Sequence, residues 1–214
     1  MSPVTGMQST PGVAASTDML RAVAHELRQP LGTIDSIAYN LTLVLPRENE
    51  KIQEQLARLL QLVEQSNWIL SSGLRLADPL PVSPELIDVE ELITQAVSER
   101  ATAGDRAVRL DLQGSLPQVR LDPSLGRALI GNLLILFRQL ATGAHTVLLR
   151  TSAAANGVWI EISTAVPGYR SEAMLGPGSV LSIQSARQIV EGHGGSLSIE
   201  IDAVSGIRFR VMLT

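Results

Sequence analysis

The residues best suited to chemistry lie together early in the chain, around His25. An imidazole nitrogen is largely unprotonated near neutral pH and is nucleophilic, so it can accept a group such as a phosphoryl. Glu26 is the adjacent carboxylate and the candidate general base. Gln29 lies one helical turn beyond His25, where its amide could hold a water or a partner's carboxylate. These three side chains are the candidate catalytic residues.

A long amphipathic helix is predicted to position them. Apolar residues recur at three-four spacing from Thr17 to Leu45, which indicates a helix with one apolar seam. Pro30 lies inside this helix, removes one backbone donor and therefore predicts a bend beside His25. A break at residues 46–49 and a second seam from Ile52 to Ala77 predict an antiparallel hairpin.

The two apolar stripes of this hairpin need a partner. Two helices alone cannot bury both stripes, so we expect two copies to associate into a dimeric four-helix bundle. The alternative is that the second domain of the same chain covers the stripe. The heptad-like regularity of the seam favours the homodimer.

A proline-rich connection, residues 78–84, marks the clearest domain boundary. We predict a flexible tail (1–16), the hairpin (17–78), a linker (79–84) and a second domain (85–214). The patterns after the linker predict helices at Val89–Ala103, Asp122–Leu140 and Ser185–Glu191 and strands at Val108–Leu112, Thr146–Thr151, Val158–Ser163, Ser196–Ile201 and Ile207–Leu213. Such a mixture predicts helices layered on one mixed sheet, and an α+β chain as a whole.

The composition excludes several function classes. A net charge of −4, only 3% aromatic residues and no Lys/Arg cluster argue against nucleic-acid binding. The absence of cysteine excludes disulfides and thiolate metal sites. No apolar run approaches the roughly 20 residues of a membrane-spanning helix, and the first residues lack the order of a secretory signal, so we expect a cytoplasmic protein without a membrane segment.

Two stretches carry a resemblance to a known family. The run Ala24-His25-Glu26-Leu27-Arg28-Gln29-Pro30-Leu31 resembles the phosphoacceptor box of bacterial sensor histidine kinases, whose dimerisation domain is a helical hairpin. Residues 188–199 and Gly206–Phe209 are similar to the ATP-binding domain of the same family, an α/β sandwich. The resemblance implies two-component signalling, with His25 as the phosphoacceptor, response-regulator receiver domains as partners and a possible upstream histidine kinase.

The helix motif of the family's nucleotide site is incomplete here. In the family, two asparagines flank a pair of leucines, and the second asparagine helps to hold magnesium. Asn132 keeps the first position, but Leu136 stands at the second, and a leucine cannot coordinate a hard cation. Gln139 stands where a cation usually faces the phosphates.

The other nucleotide motifs also depart from the family. Thr164 replaces the aspartate that accepts the adenine amino group. Counting back from Ile189, the run Val180-Leu181-Ser182-Ile183 takes the place of the glycine-rich phosphate loop, although Gly176-Pro177-Gly178 could restore the loop under a shifted alignment. Twelve positions separate Gly168 from Val180, too few for the long lid of active members.

These departures predict a degenerate ATPase-like domain with no cofactor and no metal. We therefore expect a histidine phosphotransferase that carries a phosphoryl group on His25 and exchanges it with receiver aspartates. The alternatives are a response-regulator phosphatase that uses Glu26 and Gln29, a divergent active kinase that binds ATP and magnesium, and a non-enzymatic scaffold. His25 as an ordinary surface histidine is the plainest alternative, whereas His145 and His193 are assigned to structure, His193 because it precedes two glycines at a helix end.

Overall fold

The chain divides into two compact units, Met1–Pro79 and Leu80–Thr214. The structure is a computed structural model that describes residues 11–46, 49–77, 81–99, 108–140, 146–165, 175–202 and 206–214, except for the side chains of 11–16 and 139. Two helices form the first unit, and a mixture of strands and helices forms the second, which confirms the predicted α+β fold. Within these described ranges, no helix is both long and apolar enough to cross a membrane.

The first unit is a hairpin of α1 (Pro11–Val44) and α2 (Glu50–Ala77). Arg28 of α1 bonds to Ser71 near the open end, and Gln53 of α2 bonds to Pro46 near the turn, so the two helices run antiparallel. The hairpin buries one narrow line of side chains. Its buried apolar residues are Ala24, Ala38, Leu56, Val63 and Trp68.

The second unit contains three helices, a five-stranded sheet and a two-stranded sheet. Its elements are β1 (Glu85–Ile87), α3 (Val89–Ser98), β2 (Val108–Asp111), β3 (Val119–Leu121), α4 (Pro123–Leu140), β4 (Val147–Ala154), β5 (Gly157–Thr164), α5 (Pro177–Gly192), β6 (Ser196–Asp202) and β7 (Gly206–Leu213). The large sheet has the strand order β2-β4-β5-β7-β6, with β2 parallel to β4 and the other neighbours antiparallel. Strands β1 and β3 form the small antiparallel sheet.

The core of this unit lies between one face of the large sheet and the helices. Every second residue of β5 is buried, as expected for a strand with one face in the core. Phe137 of α4 and Phe209 of β7 are both fully buried and meet edge to face, with ring centroids 5.0 Å apart. Burial of one such side chain contributes about 1.5–3 kcal/mol.

Two helix boundaries in the first half differ from prediction. Helix α1 begins at Pro11 rather than Thr17, so the predicted flexible tail is wrong for residues 11–16. A proline suits a first helical position because it has no N–H that needs a partner there. Helix α3 ends at Ser98 rather than Ala103, since its buried face is complete by Ala96, and residues 100–103 lie outside the described part. Residues 1–10 also lie outside it.

Helix α5 begins at Pro177, eight residues before the predicted start. Its first turns are rich in glycine and serine, which hid the helical period, but Ser182 and Ser185 are buried and Ser182 Oγ donates to the Gly178 carbonyl. The strands β1 and β3 were not predicted, because three residues are too few to show an alternating pattern.

The five predicted strands are present, with bounds that lie within three residues of the prediction. The turn between β4 and β5 is formed by Ala155 and Asn156, while Gly157 already belongs to β5. Gly157 has a φ of +153°, and a Cβ there would lie 1.9 Å from the Leu213 carbonyl oxygen. Only glycine fits this close approach of two strands.

Candidate functional site

His25 lies on α1, exposed to solvent, and its neighbour Ala24 is only 3% exposed. Successive helical residues are turned by about 100°, so the buried Ala24 fixes the rotation of the helix and thereby directs His25 away from the hairpin interior. The ring is therefore accessible to a large partner.

Gln29 contacts the ring directly. Its amide nitrogen Nε2 lies 3.3 Å from His25 Nε2, and the ring nitrogen accepts the hydrogen bond when the ring carries its proton on Nδ1. Glu26 is also exposed, and within the described chain the hydrogen-bonded partner of the ring is Gln29 rather than Glu26. The structure thus brings together two of the three candidate catalytic side chains.

The helix continues through Pro30 without interruption. A proline has no N–H, so the carbonyl of Glu26 has no helical donor four residues later. Around this point Thr33 Oγ1 donates to the Gln29 carbonyl over 3.1 Å. The predicted bend beside His25 stays a prediction.

Two arginines that approach each other across the hairpin were missed by the sequence reasoning. Arg28 Nη2 donates to Ser71 Oγ of α2 over 3.0 Å. Arg75 lies one turn beyond Ser71, and its pKa is lowered by burial and, second, by the positive charge of Arg28. Only the pairing of α1 with α2 brings these residues together, so no local pattern could have found them.

The residues at the metal positions of α4 are buried. Leu136 is 0% exposed and belongs to the core of the second unit, and Asn132 is 4% exposed. Among the described residues, Asn132 Nδ2 has no hydrogen-bond partner. The side chain of Gln139 lies outside the described part.

Thr164, at the position of the base-binding aspartate, is buried at the end of β5. Its hydroxyl donates to the Thr146 carbonyl over 3.2 Å. A cavity of about 260 Å³ opens beside it, and the described residues that line this cavity include Ser163, Glu200 and Arg208 but neither Asn132 nor Leu136.

The run assigned to the phosphate loop is helical. Val180 and Ser182 both lie in the first turns of α5, where Val180 is 40% exposed and Ser182 is buried. Gly176 is the N-cap of this helix. Most of the interval assigned to the lid, residues 166–174, lies outside the described residues.

His193 forms hydrogen bonds to both the end of α5 and the start of α4. Its Nδ1–H donates to the Ile189 carbonyl at the end of α5 over 2.7 Å, and its Nε2 accepts from the Asp122 backbone N–H over 3.0 Å. These bonds agree with the structural assignment of His193. His145 lies outside the described part of the chain.

Asp122 caps α4 and also holds the segment before β1. Burial alone would raise its pKa, but hydrogen bonds from Ser124 and from the backbone N–H groups of Leu125 and Ser83 outweigh this effect and lower the pKa to about 2. The carboxylate is therefore a fixed structural anion of the second unit.

We compared the chain with protein families, curated proteins and solved structures. No protein-family model matches the chain. The sensor histidine kinase ZraS of Escherichia coli O157:H7 is 28% identical over 206 residues, which cover 89% of this chain and 44% of that protein. The chain is homologous to sensor histidine kinases. It spans less than half the length of this relative.

Solved histidine kinases share the fold. Full-length ShkA, crystallised with AMPPNP, superimposes with a TM-score of 0.62 at 19% identity. The match covers 92% of this chain and 45% of the ShkA chain. The kinase AdeS of Acinetobacter baumannii superimposes with a TM-score of 0.57 at 17% identity. The match covers 89% of this chain and 97% of the AdeS chain. The predicted order, a helical hairpin followed by an ATPase-type α/β domain, is therefore confirmed.

Proposed function

We propose that this chain is a two-component signalling protein that carries a phosphoryl group on His25 and exchanges it with the aspartates of response-regulator receiver domains, without binding ATP. The observation that carries the proposal is a contrast between two sites. The His25 side chain is exposed and its Nε2 bonds to Gln29, whereas Leu136 and Thr164 are buried in the second unit. The proposal puts the chain in the cytoplasm with its receivers.

The transfer step needs only groups that the two partners supply. The lone pair on His25 Nε2 attacks the phosphorus of the receiver's aspartyl phosphate, so that a P–N bond forms while the P–O bond breaks. The aspartate leaves as a carboxylate, and the ring then releases its Nδ1 proton, for which Glu26 is the proposed base. Gln29 must first release Nε2, because its hydrogen bond occupies the attacking lone pair.

We also propose that two hairpins associate. Many large apolar side chains on α1 and α2 remain at least 36% exposed, and most of them form one stripe on each helix beside the buried line. The stripe contains Leu20, Val23, Leu27, Ile34, Ile37 and Leu41 on α1 and Ile52, Leu59 and Leu62 on α2. On α1 this stripe is turned by nearly half a helical circumference from His25, so a dimer leaves His25 open to a receiver.

The residues at the nucleotide positions do not fit a magnesium nucleotide. Leu136 offers no oxygen to the metal and is fully buried. Thr164 has no charge, and its hydroxyl proton is already donated to a backbone carbonyl. Val180 and Ser182 lie inside a helix, where their N–H groups are not arranged as a glycine loop. No step of the proposed reaction therefore involves ATP.

A labelling experiment tests the carrier role. A panel of receiver domains is phosphorylated with acetyl phosphate and mixed with the chain, and intact-mass and peptide analysis locate the transferred group. We expect a phosphoryl group on His25 and none on a His25→Ala variant. A label that persists in that variant, or receiver dephosphorylation that needs Gln29 but survives without His25, would contradict the carrier role.

A titration with ATP and magnesium tests the second part of the proposal. We expect no saturable heat up to about 1 mM nucleotide, a range in which even weak specific binding is measurable. Saturable, magnesium-dependent binding would favour a divergent active kinase instead.

A further inference from the structure

Strand β6 forms one edge of the large sheet. It pairs with β7 along all seven of its residues, Ser196 to Asp202, with no bulge. Among the residues that the structure describes, no strand pairs with its other side. The backbone N–H and C=O groups on that side are therefore available to a strand from another chain.

This edge lacks the features that usually discourage pairing. Edge strands are commonly short, interrupted by proline or a bulge, or protected by lysine. β6 contains neither proline nor lysine, whereas the opposite edge strand, β2, is only four residues long. Glu200 is charged, but its carboxylate lies 3.3 Å from an Arg208 nitrogen and 3.5 Å from an Arg210 nitrogen on β7. The charge of Glu200 is thus partly compensated within the sheet.

The side chains of β6 alternate between two faces of the sheet. Leu197 is buried on the core face, whereas Ile199 and Ile201 on the same face are only half-buried. An additional strand beside β6 would cover the exposed flank of both isoleucines. The exposed side chains of the opposite face are Ser196, Ser198, Glu200 and Asp202.

A second copy of β6 matches this pattern. We consider two copies that pair antiparallel about a two-fold axis at Ile199, so that all seven residues of each strand have a partner. Apolar residues then lie opposite apolar residues, and each carboxylate lies opposite a hydroxyl that can donate to it. The cross-strand pairs are Ile199 with Ile199, Leu197 with Ile201, Ser198 with Glu200 and Ser196 with Asp202.

Other registers fit less well. A two-fold axis at Glu200 would place two glutamates directly opposite each other, which is destabilising. A parallel pairing in register would do the same. A two-fold axis at Ser198 would leave Ile201 and Asp202 without partners in the other β6. The antiparallel register about Ile199 is therefore the one that the sequence of β6 favours.

We propose that β6 is a homotypic interface, through which two copies of this chain join their large sheets into one continuous sheet. The interface lies in the second unit, and it requires neither His25 nor the apolar stripe of the hairpin. Antiparallel pairing supplies about one backbone hydrogen bond for each residue pair. The contact is small, so we expect association that depends on protein concentration.

Disulfide trapping tests the register. The natural chain has no cysteine, so introduced cysteines report only the designed contacts. A Ser198→Cys chain and a Glu200→Cys chain are oxidised separately and as a mixture. Directly opposite Cβ atoms lie about 4.5–5.5 Å apart, whereas diagonal neighbours lie about 7–8 Å apart, so we expect at least about a fivefold excess of the mixed disulfide over either disulfide between identical chains. Disulfides in the proportion of random collision would overturn the register.

Hydrogen exchange tests the association itself. Exchange of the backbone amides of residues 196–202 is followed by mass spectrometry at increasing concentrations of the full chain. We expect exchange to slow as the concentration rises, because pairing protects the amides of the free edge. Exchange that stays equally fast at every concentration would overturn the second copy as the occupant and would leave the edge to an extended segment of another protein.

Substitutions at Ser198 sharpen this measurement. Ser198→Glu places a carboxylate opposite Glu200 twice in the symmetric pair, so the concentration that gives half-maximal protection should rise about tenfold. Ser198→Thr keeps the hydroxyl and should behave as the wild type does. Gln118→Glu changes the net charge equally at an exposed position outside β6 and should also have no effect. Circular dichroism checks the fold of each variant. Equal weakening in Gln118→Glu, or none in Ser198→Glu, would contradict the proposed interface.

Discussion

The hairpin and the sheet unit differ in how completely each one buries its apolar residues. All the largest fully buried side chains of the described residues belong to the sheet unit, Leu136 and Phe137 among them. The described hairpin buries two alanines and three larger apolar residues, while Ile37 and Leu62 are each 54% exposed. Among the described residues, the sheet unit thus buries its large apolar side chains more fully than the hairpin does.

This difference separates two roles that an active histidine kinase combines. Leu136 and Thr164, at positions that the family resemblance assigns to the nucleotide site, are buried in the sheet unit, so substitutions there should act on stability. Positions around His25 contribute little to burial, so substitutions there should act on phosphoryl transfer and association.

The largest effect is expected for Leu136→Asn, which restores the amide of an active kinase's metal site. Because Leu136 is fully buried, the change removes apolar burial and buries a polar group, and we expect a loss of about 3–5 kcal/mol in the free energy of unfolding. Urea denaturation measures this loss. Leu136→Met, which conserves volume, should cost less than about 1.5 kcal/mol. A stable Leu136→Asn chain that gains ATP binding would show that the position is open.

Association should respond to the apolar stripe of α1. Ile34→Glu buries a charge twice in a symmetric dimer, so the dissociation constant should rise by about a hundredfold or more. Tyr39→Glu is the matched control, because Tyr39 is 58% exposed on the other flank of the helix. Analytical ultracentrifugation of both variants measures their dimer dissociation constants. A dimer that tolerates Ile34→Glu but not Tyr39→Glu would place the interface on the wrong face.

Asp122→Ala should cost about 1–2 kcal/mol, mainly through loss of the cap of α4. The folded-state pKa of about 2 lies below the ordinary value of 3.8, so the carboxylate stabilises the fold above about pH 4. Its contribution fades as the pH falls from about 4 to about 2. The stability difference between wild type and variant, measured against pH, should shrink over this window. A difference that stays constant would refute the assigned pKa.

The smallest effect is expected at an exposed ion pair of the hairpin. Arg21 bonds to Asp18 over 2.8 Å, but the side chains are 53% and 73% exposed. Asp18→Asn should change the free energy of unfolding by less than about 0.5 kcal/mol. Thermal unfolding monitored at 222 nm checks this, and a larger loss would mean that the hairpin relies on surface charges.

Periodicity predicted most of the architecture, because long amphipathic helices and alternating strands leave clear patterns. The hairpin, α4 and the strands of the large sheet were found in this way. The start of α5 was missed because Gly178, Ser179 and Ser182 carry no apolar signal, although they pack as helix. Short strands and helix ends depend on tertiary contacts that no local window contains.

Only part of the candidate site could be predicted from the sequence. The spacing of His25 and Gln29 was enough to place them on one helical face, and the structure shows them in contact. Arg28 and Ser71 are 43 positions apart in the chain, so their approach depends on the register between the two helices. Sequence patterns set which residues share a helix face, but not which residues meet across the hairpin.

The most direct measurement compares two phosphoryl donors on the same chain. Radiolabelled ATP with magnesium is offered to one sample and phosphorylated receivers to another, and the label on His25 is quantified over time. We predict label from receivers and none from ATP. Label from ATP on His25, in the absence of any other kinase, would contradict it.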